Sequence, residues 1–170
     1  MIGDDRPGLV SVLSGLVTEH GGSWEHSQLS RLAGKFAGVV VVTMPEDQLD
    51  GLIAALAGLA GEGLRVALEP TDPPEESVAQ QLRLELLGAD HPGIVAEISA
   101  SLAGLGISIE ELVTDVREAP MAGGSLFEAR AVLVAPPEAS TEELRTMLES
   151  LADELMVEIT LSRDEDKQDS

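Results

Sequence analysis

An eight-residue stretch occurs twice in this chain, as GDDRPGLV at Gly3–Val10 and as GADHPGIV at Gly88–Val95. Laying Asp5 on Asp90 gives an offset of 85, which also superposes Gly3 on Gly88, Pro7 on Pro92, Gly8 on Gly93, Ser14 on Ser99 and Gly21 on Gly106. Leu13/Ile98 and Val17/Leu102 keep aliphatic character under the same offset. An offset of half a 170-residue chain predicts duplication of a domain of about 80 residues. The fold must therefore close within that length and use an Asp-x-Pro-Gly bend at the same place in both copies.

The second copy reads most clearly. Leu82, Leu84 and Leu86 alternate within QQLRLELL, which predicts a strand over Gln80–Leu87. GADHPG follows as a turn, with Asp90 able to cap a helix and Pro92 suited to its first turn. Ile94, Val95, Ile98, Leu102 and Leu105 fall on one helical face, and Gly104 and Gly106 end that helix. Strands are predicted over Ile107–Val116 and Leu126–Val134, a helix over Thr141–Glu154, and a last strand over Met156–Leu161. The acidic stretch 164–170 reads as a disordered tail.

The resulting order is βαββαβ, the split-βαβ or ferredoxin-like unit of the α+β class, with an antiparallel sheet and helices on one face. The first copy repeats it: a helix over Leu9–His20, strands over Trp24–Leu32 and Phe36–Met44, a helix over Glu46–Gly61, and a strand over Leu64–Glu69. The domains are expected at 1–70 and 78–163, joined by a linker over 71–77 that follows Pro70 and contains Pro73 and Pro74. The first strand of the first copy is expected to be largely missing, because only Met1 and Ile2 precede Gly3. Losing a central strand would leave two neighbours unpaired, so a start-site error or a strand supplied by a partner are the two explanations.

The repeated Gly-x-Asp-x-Pro-Gly-Ile/Leu-Val, set between strand and helix of a βαββαβ unit, resembles the ACT domain, a small-molecule-sensing module. The tandem pair resembles the glycine cleavage system transcriptional repressor family. The supporting stretches are SRLAGKFAG at Ser30–Gly38, LGADHPGIVAEIS at Leu87–Ser99, APMAGGSLFEA at Ala119–Ala129 and LESLADELMVEITL at Leu148–Leu161. The resemblance implies amino-acid binding near the repeated turn, at Asp5, Arg6, Gly8 and Leu9 and at Asp90, His91, Gly93 and Ile94. It also implies edge-to-edge pairing of the units and a homodimer.

Physical chemistry gives those residues two readings, both open at this stage. A helix N-terminus presents unpaired N–H groups and the positive end of a dipole, which suits a carboxylate. An aspartate beside it suits an ammonium, so each turn could hold an amino-acid zwitterion. Equally, Asp-x-Pro-Gly serves as a plain strand-to-helix connector. Arg6 is a fixed cation where His91 is a titrating one, so the first turn should favour an anion more strongly. The loops SRLAGK at Ser30–Lys35 and APMAGGSLF at Ala119–Phe127 are candidate rims or lids, or simple hairpin connectors.

Composition narrows the function classes. With 31 acidic against 10 basic residues the net charge is −21, which argues against direct nucleic-acid or anionic-membrane binding. The absence of cysteine removes disulfides, thiol catalysis and thiolate metal sites, and His20 and His26 have no metal-ligand spacing, so no metal or cofactor is expected. No apolar run reaches the length of a membrane span and no signal peptide is visible, which predicts a cytoplasmic protein. No phosphate loop, HExxH or Gly-x-Ser-x-Gly is present. The expected function is a non-catalytic regulatory protein that senses an amino acid such as glycine and acts through a protein partner, for instance as a co-repressor on a transcriptional activator. The alternative is a structural or assembly module without a ligand, and an enzyme of amino-acid metabolism is the third class.

Overall fold

A computed structural model describes residues 1–71, 79–118 and 124–163. The chain divides into two compact units, Met1–Pro73 and Pro74–Ser170. The expected linker over 71–77 and tail over 164–170 lie outside the described residues, apart from Thr71.

Unit 1 contains β1 (Ile2–Asp4), α1 (Leu9–Glu19), β2 (Ser23–Leu32), β3 (Lys35–Thr43), α2 (Leu49–Gly58) and β4 (Leu64–Arg65). Unit 2 contains β5 (Gln80–Ala89), α3 (Ile94–Gly104), β6 (Ser108–Glu118), β7 (Ser125–Ala135), α4 (Thr141–Leu155) and β8 (Val157–Arg163). The sheets run β2-β3-β1-β4 and β6-β7-β5-β8, with every strand pair antiparallel. These are two ferredoxin-like units in tandem.

Each core follows from residue spacing. Leu82, Leu84 and Leu86 alternate into the buried face of β5, where they meet Leu133, Ala131 and Ala129 of β7. Ile94, Ile98 and Leu102 recur at four-residue steps on α3, and Leu144, Leu148, Leu151 and Leu155 form the stripe of α4. Both stripes join one cluster with the sheet, and each fully buried leucine contributes about 1.5–3 kcal/mol. Ser140 caps α4 by accepting from Glu143 N–H at 3.3 Å. Val95, expected on the buried face of α3, is 44% exposed because its position lies one residue off that stripe. In unit 1 the corresponding cluster is Leu9, Leu13, Leu52, Leu56, Leu59 and Leu64, with Trp24 and Phe36 packed against it.

The first strand is cut to three residues against ten in β5, as expected, yet those three residues are paired on both sides. Ile2–Asp4 pairs with β3 through Ile2↔Ala37, Gly3↔Phe36 and Asp4↔Lys35, and with β4 through Ile2↔Arg65 and Gly3↔Leu64. Gly3 belongs to the strand rather than to the turn because a neighbouring strand needs the room. A Cβ on Gly3 would lie 2.7 Å from Gly63 O and 3.1 Å from Leu64 Cα. Gly88 repeats the arrangement: a Cβ there would lie 2.8 Å from Val157 Cβ and 3.0 Å from Val157 Cα. So β5 also runs past the expected Leu87 to Ala89. Two further elements of unit 1 are shorter than expected. The Glu46–Gly61 helix is an α-helix over Leu49–Gly58 flanked by 3-10 turns, and the Leu64–Glu69 strand has only Leu64 and Arg65 in the sheet.

Candidate functional site

Each repeated bend hangs from the end of a central strand and is tied to the hairpin beside it. Asp5 N–H donates to Gly34 O at 3.0 Å, and Asp90 N–H donates to Ser125 O at 2.8 Å. Gly34 and Ser125 hold the same position in their sheets, directly before the equivalent residue pairs of β3 and β7. The backbone of the aspartate is therefore fixed in both copies, and its side chain is left to the surface.

The helix caps differ from the expected ones. The N-caps of α1 and α3 are Gly8 (φ 92°) and Gly93 (φ 108°), and no side chain caps either helix. Asp90 is three residues too early to cap α3, and Pro7 and Pro92 precede the caps rather than occupying the first helical turn. Left-handed backbone at the cap position is accessible to glycine at little cost, which accounts for the repeated Gly. The caps' own carbonyls accept from Val12 N–H at 2.9 Å and Glu97 N–H at 3.0 Å. The first-turn N–H groups of both helices are thus left without a side-chain cap, as a carboxylate-binding end requires.

Leu9 and Ile94 are core residues, 4% and 2% exposed, so only their backbone N–H groups can serve a site. Asp5 Oδ2 lies 3.4 Å from Arg31 Nη1, and Arg6 Nη2 lies 3.1 Å from Glu62 Oε2. Lys35 pairs with Asp4, and this hydrogen bond and charge lower the Asp4 pKa below the ordinary aspartate value. SRLAGK thus brings both of its cations to the unit 1 bend. In unit 2, Asp90 has no side-chain partner among the described residues, and His91 Nδ1 lies 3.3 Å from Pro92 O. The loop over 119–123, named above as a possible lid, falls outside the described residues.

The two bends differ at one residue that sequence reasoning missed. A Cβ built on Gly93 would meet the Glu97 carboxylate at 3.0 Å, whereas one built on Gly8 would meet nothing within 4 Å. Glu97 stands over the front of α3 and supplies the negative charge that its N-terminus favours. The offset of 85 places Val12 at that position in unit 1, so the difference was readable by aligning the repeats. The unit 1 bend is open and ringed by Arg6, Arg31 and Lys35, and the unit 2 bend is partly filled by its own acid. A separate open groove of about 570 Å³ lies between α3 and α4, lined by Ser101, Met147, Leu151 and the acids Glu142, Glu143 and Glu154. Among the described residues no group of three His, Asp or Glu side chains is placed to hold a metal, and no helix is long and apolar enough to cross a membrane.

Residues 1–66 match the ACT domain family. A protein of unknown function from Galdieria sulphuraria shares the fold over 95% of this chain and 94% of its own, at a TM-score of 0.81 and 28% identity. A structure described as a glycine cleavage system transcriptional repressor matches over 95% of this chain and 92% of its own, at a TM-score of 0.71 and 16% identity. No curated protein matches the sequence. The first unit thus matches the ACT domain family, the second repeats its strand order and bend, and the two together resemble in fold the structure described as a glycine cleavage system transcriptional repressor.

Proposed function

We propose that this chain is a non-catalytic, cytoplasmic regulatory protein that senses a small amino acid such as glycine and passes its state to a protein partner. The observation that carries the reading is the open, uncapped N-terminus of α1 behind Gly8, with Asp5 and Arg6 at its mouth. A zwitterion fits there, its carboxylate on the first-turn amides and its ammonium on Asp5. Asp90, His91 and Gly93 form the second, weaker position, where Glu97 competes with the ligand's carboxylate. The partner's role follows from charge: at −21 the chain is repelled by a phosphate backbone, so repression would act by holding a DNA-binding activator. A bound ligand would shift the population toward one partner-binding state.

Calorimetric titration of the freshly purified chain with the common amino acids tests the sensing step. A charged hydrogen bond contributes about 1.5–3 kcal/mol, so Asp5→Ala should weaken binding by about tenfold or more, and Asp90→Ala by less. Glu97→Gln should strengthen the second position. Absence of heat from every amino acid, or identical isotherms for wild type, Asp5→Ala and Asp90→Ala, would reject the reading. The assembly alternative draws on β2 and β6, edge strands exposed along most of their length. It predicts a constant copurifying partner that is indifferent to added amino acids.

A further inference from the structure

The helix α4 carries the acids Glu142, Glu143, Glu149, Asp153 and Glu154 against the single cation Arg145. Glu142 and Glu143, in its first turn, complement the helix dipole. Asp153 and Glu154 oppose it, because they lie in the last turn, where no basic residue is present. Folding of α4 alone does not call for acids there. Glu154 lines the open groove between α3 and α4, as do Glu142 and Glu143 three turns away, with Met147 and Leu151 between them along the helix. Among the described residues none of these three carboxylates has an ion-pair partner, and Arg145 is not part of the lining. The duplication shows that the fold does not require this rim. Aligning the buried Leu52, Leu56 and Leu59 of unit 1 with Leu144, Leu148 and Leu151 places Gly51, Ala55 and Gly58 at Glu143, Met147 and Ser150. Asp50 keeps the acid of Glu142, but Glu62, at the position of Glu154, is paired with Arg6 at 3.1 Å. His20 lies against Gly51, where a Cβ would be 3.0 Å from its ring. Unpaired acids flanking a Met–Leu floor are therefore a property of unit 2.

We infer that the α3–α4 groove of unit 2 is the docking surface for a basic amphipathic helix of a partner protein. Spacing and charge together select this occupant. Glu143 and Glu154 are eleven residues apart, about 16 Å at a rise of about 1.5 Å per residue. A metal ion or a compact diamine cannot meet both ends. A linear polyamine can, but it has no branched apolar group to set on Met147 and Leu151. Eleven residues make about three helical turns, so Glu143, Met147, Leu151 and Glu154 fall on one face of α4. A second helix laid along that face matches it when it carries bases eleven apart with apolar residues at the fourth and eighth positions between them. The unbranched thioether of Met147 adapts to differing apolar side chains. An acidic or neutral helix would strip water from the three carboxylates and return no counter-charge. The inference rests on the protein-partner part of the proposed function and does not need amino-acid sensing.

A fluorescent peptide of about 15 residues with this pattern of Lys, Arg and Leu, long enough to be partly helical, tests it by anisotropy against the full chain. Its counterpart has the same charge and a proline at its centre, which breaks the helix. The patterned peptide should bind, gain helicity in circular dichroism and weaken with added salt. The proline peptide and spermine should each bind at least about tenfold more weakly. Glu143→Gln/Glu154→Gln should weaken the patterned peptide by about tenfold. Glu19→Gln/Glu46→Gln, which removes the same charge from unit 1, should change its affinity by less than about twofold. With methyl-labelled methionine, the Met147 resonance of the unaltered chain should move on titration and that of Met44, in unit 1, should not. No binding, equal affinity for the proline peptide or spermine, equal losses in the two double variants, or an unmoved Met147 methyl would each overturn the inference. Amino-acid calorimetry is read separately, so failure of sensing and failure of docking are told apart.

Discussion

Replacing Gly3 with alanine tests the central position of the short strand β1. The new Cβ would sit 2.7 Å from Gly63 O, 3.1 Å from Leu64 Cα and 3.0 Å from Leu64 Cδ1. Only the last of these can rotate away. The other two are backbone atoms held in place by the Gly3↔Leu64 pair, so relief requires β4 to shift and the β1–β4 pairing to loosen. Overpacking of this kind costs about 1–3 kcal/mol. For a unit of this size, about 2 kcal/mol lowers Tm by roughly 8–16 °C. Trp24, the chain's one tryptophan, packs against the unit 1 core and reports this unit alone in a urea titration. Gly15→Ala is the control, because it lies within α1 with nothing within 4 Å of its Cβ and should gain about 0.5–1 kcal/mol. A Gly3→Ala midpoint equal to wild type, with the sheet intact, would refute the claim that β1 is clamped between β3 and β4.

Two further outcomes follow from packing and charge. Leu133 is fully buried in unit 2, so Leu133→Ala should cost about 2–5 kcal/mol in urea unfolding followed by far-ultraviolet circular dichroism, and a loss under 1 kcal/mol would contradict its central place. The hydrogen bond and charge of Lys35 lower the Asp4 pKa, so the stabilisation from this pair is present above the ordinary aspartate pKa and fades as pH falls through the lowered one. Lys35→Ala should raise the Asp4 value in a carboxyl NMR titration, and should leave Glu25, whose pKa is lowered by hydrogen bonds from Thr43 and Ser23, unmoved.

The parts legible in the sequence are those governed by local periodicity. The apolar steps at Ile94, Ile98 and Leu102 and the alternation at Leu82, Leu84 and Leu86 identify their elements and their buried faces together. The parts that were misread depend on neighbours distant in sequence. Gly3 and Gly88 look like turn residues until Leu64 and Val157 are placed against them. Asp90 looks like a helix cap until its backbone is seen tied to Ser125, which leaves Gly93 as the cap. Of the candidate site, the residue types at the bends were visible. The pairing of Arg31 with Asp5 and of Arg6 with Glu62, which joins residues distant in sequence, required coordinates.

The seams that close the two sheets are unequal. Unit 2 is sealed along β5–β8 from Leu82↔Arg163 to Gly88↔Val157, while unit 1 is sealed only by Ile2↔Arg65 and Gly3↔Leu64. Local opening draws on the shortest ladder first. Unit 1 therefore frays at β4, and each such excursion bares one border of its innermost strand while the β1–β3 side stays joined. Amide protons along that border would exchange with solvent by sub-global breathing, on a different clock from those at the heart of unit 2.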